Sequence, residues 1–196
     1  MTPTPPISQP GYINWETVAA LTQEDDLTAL SAALRRYAGE VDLILTTGGV
    51  SVGEKDLLEQ AVKAAGAEVI FHGIDIKPGM PTLFAVLGNA RLLGLSGNPF
   101  SAVVPFELLL RPMLAEMTGD PEPLLRADTA IAAQGFDKAS PSRPFLRAFC
   151  KQGRVYPPAA QSNGQMRSMI GCNCLIDVPA GSGAIRPGDP VRILWL

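Results

Sequence analysis

The sequence is short of most features that would assign it to a specialised class. It has three cysteines and one histidine in 196 residues. An odd and sparse cysteine set argues against a disulfide scaffold and for a reducing, cytoplasmic setting. Cys172 and Cys174 are separated by one residue, too close for a usual zinc pair, and Cys150 and His72 are remote in sequence. Zinc normally takes four such ligands, so no metal site on these thiols is expected. Gly, Pro or a charged residue interrupts every apolar run before it reaches bilayer-spanning length, so no membrane partner is expected. No basic run exists and the formal net charge is −3. Nucleic acid is therefore a poor partner, because its binding rests on Lys and Arg neutralising phosphates. There is no internal repeat. Residues 1–12 are rich in Thr and Pro and lack the charged and apolar parts of a signal peptide, so they read as a disordered or extended leader.

What is present is a globular composition, 46% apolar and 18% charged, enough for one or two domains with a core. From 13 to 119, helix and strand patterns alternate. A strand is expected over Thr17 to Ala20. Asp25 and Asp26 precede a helix from Leu27 to about Tyr37, whose apolar residues recur at helical spacing. Val41 to Leu45 reads as a buried strand. A helix follows from about Lys55 to Ala65 with Gly66 as its stop, then a strand at Ala67 to Phe71. Leu83 to Leu87 and Leu92 to Leu95 flank Gly88-Asn89 and suggest a hairpin. Asn98 and Pro99 open the longest helix, which Pro105 and Pro112 should kink and Gly119 should end. Past the linker Asp120-Pro121-Glu122-Pro123, residues 124–196 show short apolar runs between Gly, Pro, Ser and Asn, the pattern of a small all-β, barrel-like domain.

Strand, glycine turn, helix is a recipe for holding an anion. The helix start offers unpaired amides and a partial positive charge at the carboxyl edge of a parallel sheet. The chain has this arrangement twice, at Thr46-Thr47-Gly48-Gly49-Val50-Ser51-Val52-Gly53 and at Leu95-Ser96-Gly97-Asn98-Pro99-Phe100-Ser101. One such loop can be only a tight turn; two on one sheet edge suggest a ligand cleft. Asp56 follows the first loop and Asp25 precedes the first helix. Beside phosphates they suggest a bridging Mg²⁺; otherwise they cap their helices and complement the helix dipoles. Lys77-Pro78-Gly79-Met80-Pro81 is a rigid turn that either aims Lys77 at an anion or leaves it on the surface.

Taken together, these motifs resemble the molybdopterin molybdenumtransferase family (bacterial MoeA and the gephyrin E domain). The motifs are Thr46 to Asp56, Lys77 to Pro81 and Gly97 to Ala102, in this order. The resemblance runs from about residue 16 to 196. It implies an α/β fold, a three-layer MogA-like molybdopterin-binding domain incomplete at its N-terminus, followed by a small β-barrel. It also implies insertion of molybdate into adenylylated molybdopterin with release of AMP, assisted by Mg²⁺.

By position, Asp25, Asp56 and Lys77 match residues implicated in that chemistry, with Asp25 and Asp56 toward the metal and Lys77 toward molybdate. Thr47, Gly48, Gly49, Val50, Ser51, Gly53, Pro78, Gly79, Ser96, Gly97, Asn98, Pro99 and Ser101 would cradle the cofactor. A homodimer and a MogA-type adenylyltransferase are the implied partners. The chain departs from the pattern in four ways. It lacks the family's opening strand with Thr-Gly-Asp-Glu and its two N-terminal domains. Ser96 stands where many members have Pro, and Gly73, with Asp75 nearby, stands where many have Lys or Arg. The absent first strand would leave an apolar sheet edge, so that either the natural protein is longer, or the N-terminal segment substitutes, or another chain covers the surface. Three other readings remain: a binding module without turnover, a MogA-like adenylyltransferase, which would lack the β-domain, and a hydrolase using Ser51 or Ser101.

Overall fold

The computed structural model describes residues 16–50, 56–136, 141–157 and 169–196. Helix α1 spans Leu27–Ala38. Asp26 is its cap, accepting the Ala29 amide at 2.6 Å, and Arg35 and Arg36 complement the dipole in its last turn. Strand β1 is Leu43–Thr47 and helix α2 is Leu57–Ala65. Gly66 stops α2 in the left-handed conformation (φ 90°), which glycine adopts without a Cβ clash. Strands β2 (Glu68–His72), β3 (Ile76–Lys77), β4 (Leu83–Leu87) and β5 (Ala90–Leu95) follow. The last two form the hairpin expected from Gly88-Asn89, with Leu87 opposite Ala90.

Among the described residues the first sheet has the order β1-β5-β4-β2. Strands β1 and β5 are parallel, whereas β4 runs antiparallel to both β5 and β2. Both faces are covered. Leu58, Ala61 and Val62 of α2 and Leu34 of α1 pack with Leu83, Ala85 and Leu92 on one side. On the other side, Leu93 and Leu95 meet Leu110 with Leu109, Met113 and Leu114. The result is a three-layer α/β arrangement.

The long helix after β5 is divided. α3 is Pro99–Pro105, a π-helical turn covers Phe106–Leu110, and α4 is Arg111–Thr118. Pro105 lacks the amide a regular helix needs at that point, and the wider turn follows it. Pro112 lies at the start of α4, where a missing amide costs little, and Gly119 (φ 72°) closes the element.

Strands β6 (Ala127–Ala132), β7 (Arg143–Lys151), β8 (Arg154–Tyr156), β9 (Cys174–Asp177) and β10 (Pro190–Trp195) form the second unit. They pair as β7-β8-β6-β10-β9, and β9 returns to pair with β7, so the barrel closes and those five strands leave no open edge. Its interior holds Leu146, Ala148, Cys150, Val155, Cys174, Ile176 and Ile193. Burial pushes the Cys174 thiol up to about 12, as befits a core residue and not a metal ligand. Strand β3 crosses over and pairs with β7, Lys77 opposite Pro144, so the two units share a hydrogen-bonded seam. Phe100 and Val104 of α3 pack against Phe145, Leu175 and Leu194 of the barrel across the same seam.

Two expectations are corrected. Thr17 to Ala20 form no strand; Val18 and Leu21 are 55% and 56% exposed, and no strand partner lies beside them among the described residues. The strand expected from Val41 to Leu45 begins and ends two residues later, because its register is set by pairing of Leu43 with Arg91.

Candidate functional site

Pairing places four residues in one row across the sheet. Thr46 lies opposite Gly94, Gly94 opposite Leu83, and Leu83 opposite His72. Strands β1, β5 and β2 therefore run the same way, and their carboxyl ends share a rim. Directly paired residues face the same side, so the row presents Thr46 and His72 toward the α2 layer. The first glycine loop, the turn from Gly73 to Thr82 and the second glycine loop all leave from this rim.

The two glycine loops touch. The Gly48 amide donates to the Leu95 carbonyl at 3.0 Å. A Cβ on Gly97 would stand 3.3 Å from the Gly48 Cα. Gly48 and Gly49 have φ of 86° and 68°, a region glycine enters without strain. Thr47, Gly49, Gly97 and Pro99 are exposed along this strip. The expected ligand residues Ser51 and Gly53 lie outside the described residues. The Val50 side chain turns inward and packs over Gly94, so only its backbone is available to a ligand.

The second loop is stiffened by its own side chains. The Asn98 amide donates to Ser96 Oγ at 3.2 Å, and Asn98 Oδ1 accepts the Ser101 amide at 3.2 Å. Ser101 is buried, so its hydroxyl is not on the exposed strip. The Lys77–Pro81 turn leans on α3. Its Lys77–Pro78 bond is cis, Pro78 and Gly79 are buried, and Lys77 is exposed. Thr82 Oγ1 donates to the Gly79 carbonyl at 2.6 Å and holds the turn closed.

Helix α1 begins at the same rim. Arg35, near its end, donates to the carbonyls of Ala64 and Ala65 at the end of α2, so the two helices lie side by side and run in one direction. The starts of α1, α2 and α3 thus converge on one edge, and their partial positive charges add there. Thr46 Oγ1, in the row beneath, is buried with no hydrogen-bond partner among the described residues.

The carboxylates divide. Asp25 is exposed before the cap of α1. The cap is Asp26, because its side chain rather than that of Asp25 reaches the Ala29 amide. Asp56 is almost fully buried. Its Oδ1 accepts the Glu59 amide at 2.9 Å, and its Oδ2 lies 3.2 Å from His72 Nε2. The other ring nitrogen of His72 lies 2.8 Å from Glu59 Oε2, and Lys63 Nζ donates to Glu59 Oε1 at 2.6 Å.

Magnesium prefers about six oxygen ligands. Among the described residues no group of three or more His, Cys, Asp or Glu could hold an ion. Asp56 is engaged with the Glu59 amide and lies beside His72, whereas Asp25 is exposed.

The hydrogen bonds from Lys63 and then His72 hold the Glu59 carboxyl below its ordinary value of 4.5. A depressed acid stabilises the fold above its unfolded value, and that contribution is lost as pH falls through the lower folded value. Below pH 4.5 the parent chain should therefore lose stability more steeply than Glu59→Gln, in urea unfolding series at stepped pH. Parallel curves would show that the contact contributes nothing.

Two residues of the site had almost no local signal. His72, Glu59 and Asp56 meet only because β2 pairs with β4 in this register. Arg147 is the other. It is 1% exposed on the outer face of β7, its guanidinium carbon 3.8 Å above the Phe100 ring. Burial lowers its pKa. The pairing is a desolvated cation–π contact, a class worth about 2 kcal/mol, and it fastens the barrel to the first turn of α3. An arginine inside the apolar run Phe145 to Phe149 was the available signal. A shallow apolar dent lined by residues including Phe136, Leu146 and Ile185 lies on the barrel and contains none of the expected site residues.

Known families match both parts of the chain. Residues 12–116 match the probable molybdopterin binding domain, and residues 129–196 match the MoeA C-terminal region, domain IV. The chain belongs to the molybdopterin-binding domain family, in its MoeA form. A molybdopterin molybdenumtransferase of Staphylococcus aureus (strain COL) is 33% identical to this MoeA-type chain over 177 residues. The match covers 88% of the chain and 42% of the relative. The Bacillus subtilis (strain 168) protein of the same name is 31% identical, with 88% and 41% covered. The chain therefore spans about two-fifths of the length of these relatives. The crystal structure of a molybdopterin biosynthesis MoeA protein from Pyrococcus horikosii superposes with a TM-score of 0.73 at 25% identity. It covers 87% of this chain and 41% of that one. A molybdenum cofactor biosynthesis protein from Pyrococcus furiosus shares the fold, with a TM-score of 0.69 at 22% identity, 88% of this chain and 55% of that one being covered.

Among the described residues, Ser101 gives no support to a serine hydrolase, and Ser51 lies outside them. The only histidine of this MoeA-type chain has both ring nitrogens facing carboxylates, and Ser101 is buried in a helix turn. The barrel after residue 123, which MogA-like adenylyltransferases lack, also sets the chain apart from them.

Proposed function

We propose that this chain binds adenylylated molybdopterin across the rim and takes part in inserting molybdate with release of AMP. The observation that supports the reading is the contact of Gly48 with Gly97, which joins two helix starts into one strip of bare backbone. Phosphate oxygens approach such a strip closely because no Cβ intervenes, and the convergent helix dipoles favour their charge. Exposed Lys77 attracts the molybdate dianion. In the reaction, the two pterin thiols replace one oxygen of molybdate, which leaves with their protons as water, while a water adds across the phosphoanhydride and AMP leaves. The chain's contribution is positioning and charge stabilisation, with no covalent intermediate. A MogA-type adenylyltransferase would supply the substrate.

One observation favours a second reading, a module that binds molybdopterin without turnover: Asp56, expected among the reacting groups, is committed to a cap and to His72. Incubating the chain with adenylylated molybdopterin, Mg²⁺ and molybdate separates the two. AMP release supports the first, and tight binding without AMP the second. Failure to bind molybdopterin at all would remove both.

A further inference from the structure

His72 and Glu59 lie outside every motif that carried the family resemblance, and they meet Asp56, the last residue of the first motif. We infer that His72 is a positioning residue of the rim, an inference that rests on the molybdopterin reading above: it ties the start of α2 to the sheet and thereby sets the place of the first glycine loop. Asp56 is almost fully buried. A carboxylate this deeply buried needs partners for both oxygens. The helix supplies one through the Glu59 amide, and His72 Nε2 faces the other at 3.2 Å. The second ring nitrogen is held by Glu59, which Lys63 holds in turn. Asp56, Glu59 and Lys63 all belong to the α2 segment, whereas His72 is the last residue of β2. A single imidazole therefore spans helix and sheet, hydrogen-bonded to Glu59 through Nδ1 and in close polar contact, out of line for a hydrogen bond, with Asp56 through Nε2. The movement is passed to the loop by one further bond, from the Leu58 amide to the Gly49 carbonyl at 3.3 Å. Where α2 sits, Gly49 must follow.

Because the chain has one histidine, ¹⁵N-histidine labelling gives one pair of ring-nitrogen resonances. The full chain is titrated with purified molybdopterin. Both resonances should move on binding, Nε2 more than Nδ1, since Nε2 faces the residue next to the loop. Two conservative variants then separate position from general damage. Glutamine places its terminal amide near the Nε2 position and can still meet Asp56, whereas asparagine reaches only toward Glu59. His72→Gln should keep molybdopterin affinity within about threefold, and His72→Asn should lose roughly tenfold, the scale of a small misplacement of binding groups. Equal affinity in the two variants, or resonances that stay still while molybdopterin binds, would overturn the inference and leave the cleft reading standing. A parent chain that binds no molybdopterin overturns both. Should His72→Asn not fold, the resonance titration on the parent chain decides alone.

Discussion

Gly97→Leu should weaken molybdopterin binding by roughly a hundredfold, the loss seen when ligand and site are misplaced by about an ångström, while the fold stays intact. The residue is exposed and its backbone lies outside the left-handed region, so its φ accepts a side chain, and the first loop must yield by a few tenths of an ångström to admit it. Its Cβ would stand 3.3 Å from the Gly48 Cα, and further carbons would extend over the strip between the two loops. A phosphate that needs direct access to backbone amides would then meet methyl groups. The measurement is a titration of molybdopterin fluorescence, with thermal unfolding as the control for folding. Parent-like affinity in a folded Gly97→Leu protein would show that the ligand does not enter between the loops.

The largest loss of stability is expected at Gly79→Ala, about 4 kcal/mol, from two costs acting together. Gly79 sits at φ 104°, where a side chain is strained by about 1–3 kcal/mol. Its Cβ would also stand 2.5 Å from Pro105 Cγ, 2.7 Å from Pro105 Cδ and 3.1 Å from the Ser101 carbonyl. Neither a proline ring nor a helix carbonyl swings aside, so overpacking adds about 1–3 kcal/mol. In a chain of this size each kcal/mol shifts the melting temperature by about 2–4 °C, so a fall of about 8–16 °C is expected. Gly88→Ala is the comparison. Gly88 has φ 61° but nothing within 4 Å of its Cβ, so it should show the backbone cost alone. Equal losses at the two positions would mean that the turn does not press on α3.

That pressure connects the site to the rest of the molecule. The Lys77–Pro81 turn leans on α3, α3 carries the second glycine loop at its start, and Arg147 of the barrel lies on Phe100 in the same first turn. The barrel thus supports the rim from outside. Lys77 stands at the junction, on a strand that pairs with the barrel and at the head of a turn that packs on the helix. Its position is governed by both units.

Much of the candidate site could be read from residue order because its parts obey local rules. Asn98 caps, Gly66 and Gly119 stop helices, and Gly88-Asn89 turns a hairpin, each within four or five residues of its effect. The misreadings have the same origin in reverse. Thr17 to Ala20 has strand-like residues, yet a strand exists only when something pairs with it. Asp25 and Asp26 are equivalent as letters, and the turn geometry alone selects Asp26 as the cap. Val50 looked like part of a ligand loop but fills the space left by Gly94.

By itself, the order of residues determined the helices, the short strands, the two glycine turns and the change to an all-β unit after Pro123, since these follow from periodicity and turn chemistry over short spans. Tertiary structure alone decided that Gly48 and Gly97 touch, that β9 closes the barrel on β7, and that His72 comes to rest between Asp56 and Glu59. The reason is register: a strand shifted by one residue turns each side chain to the opposite face, and the partner that fixes the shift lies tens of residues away.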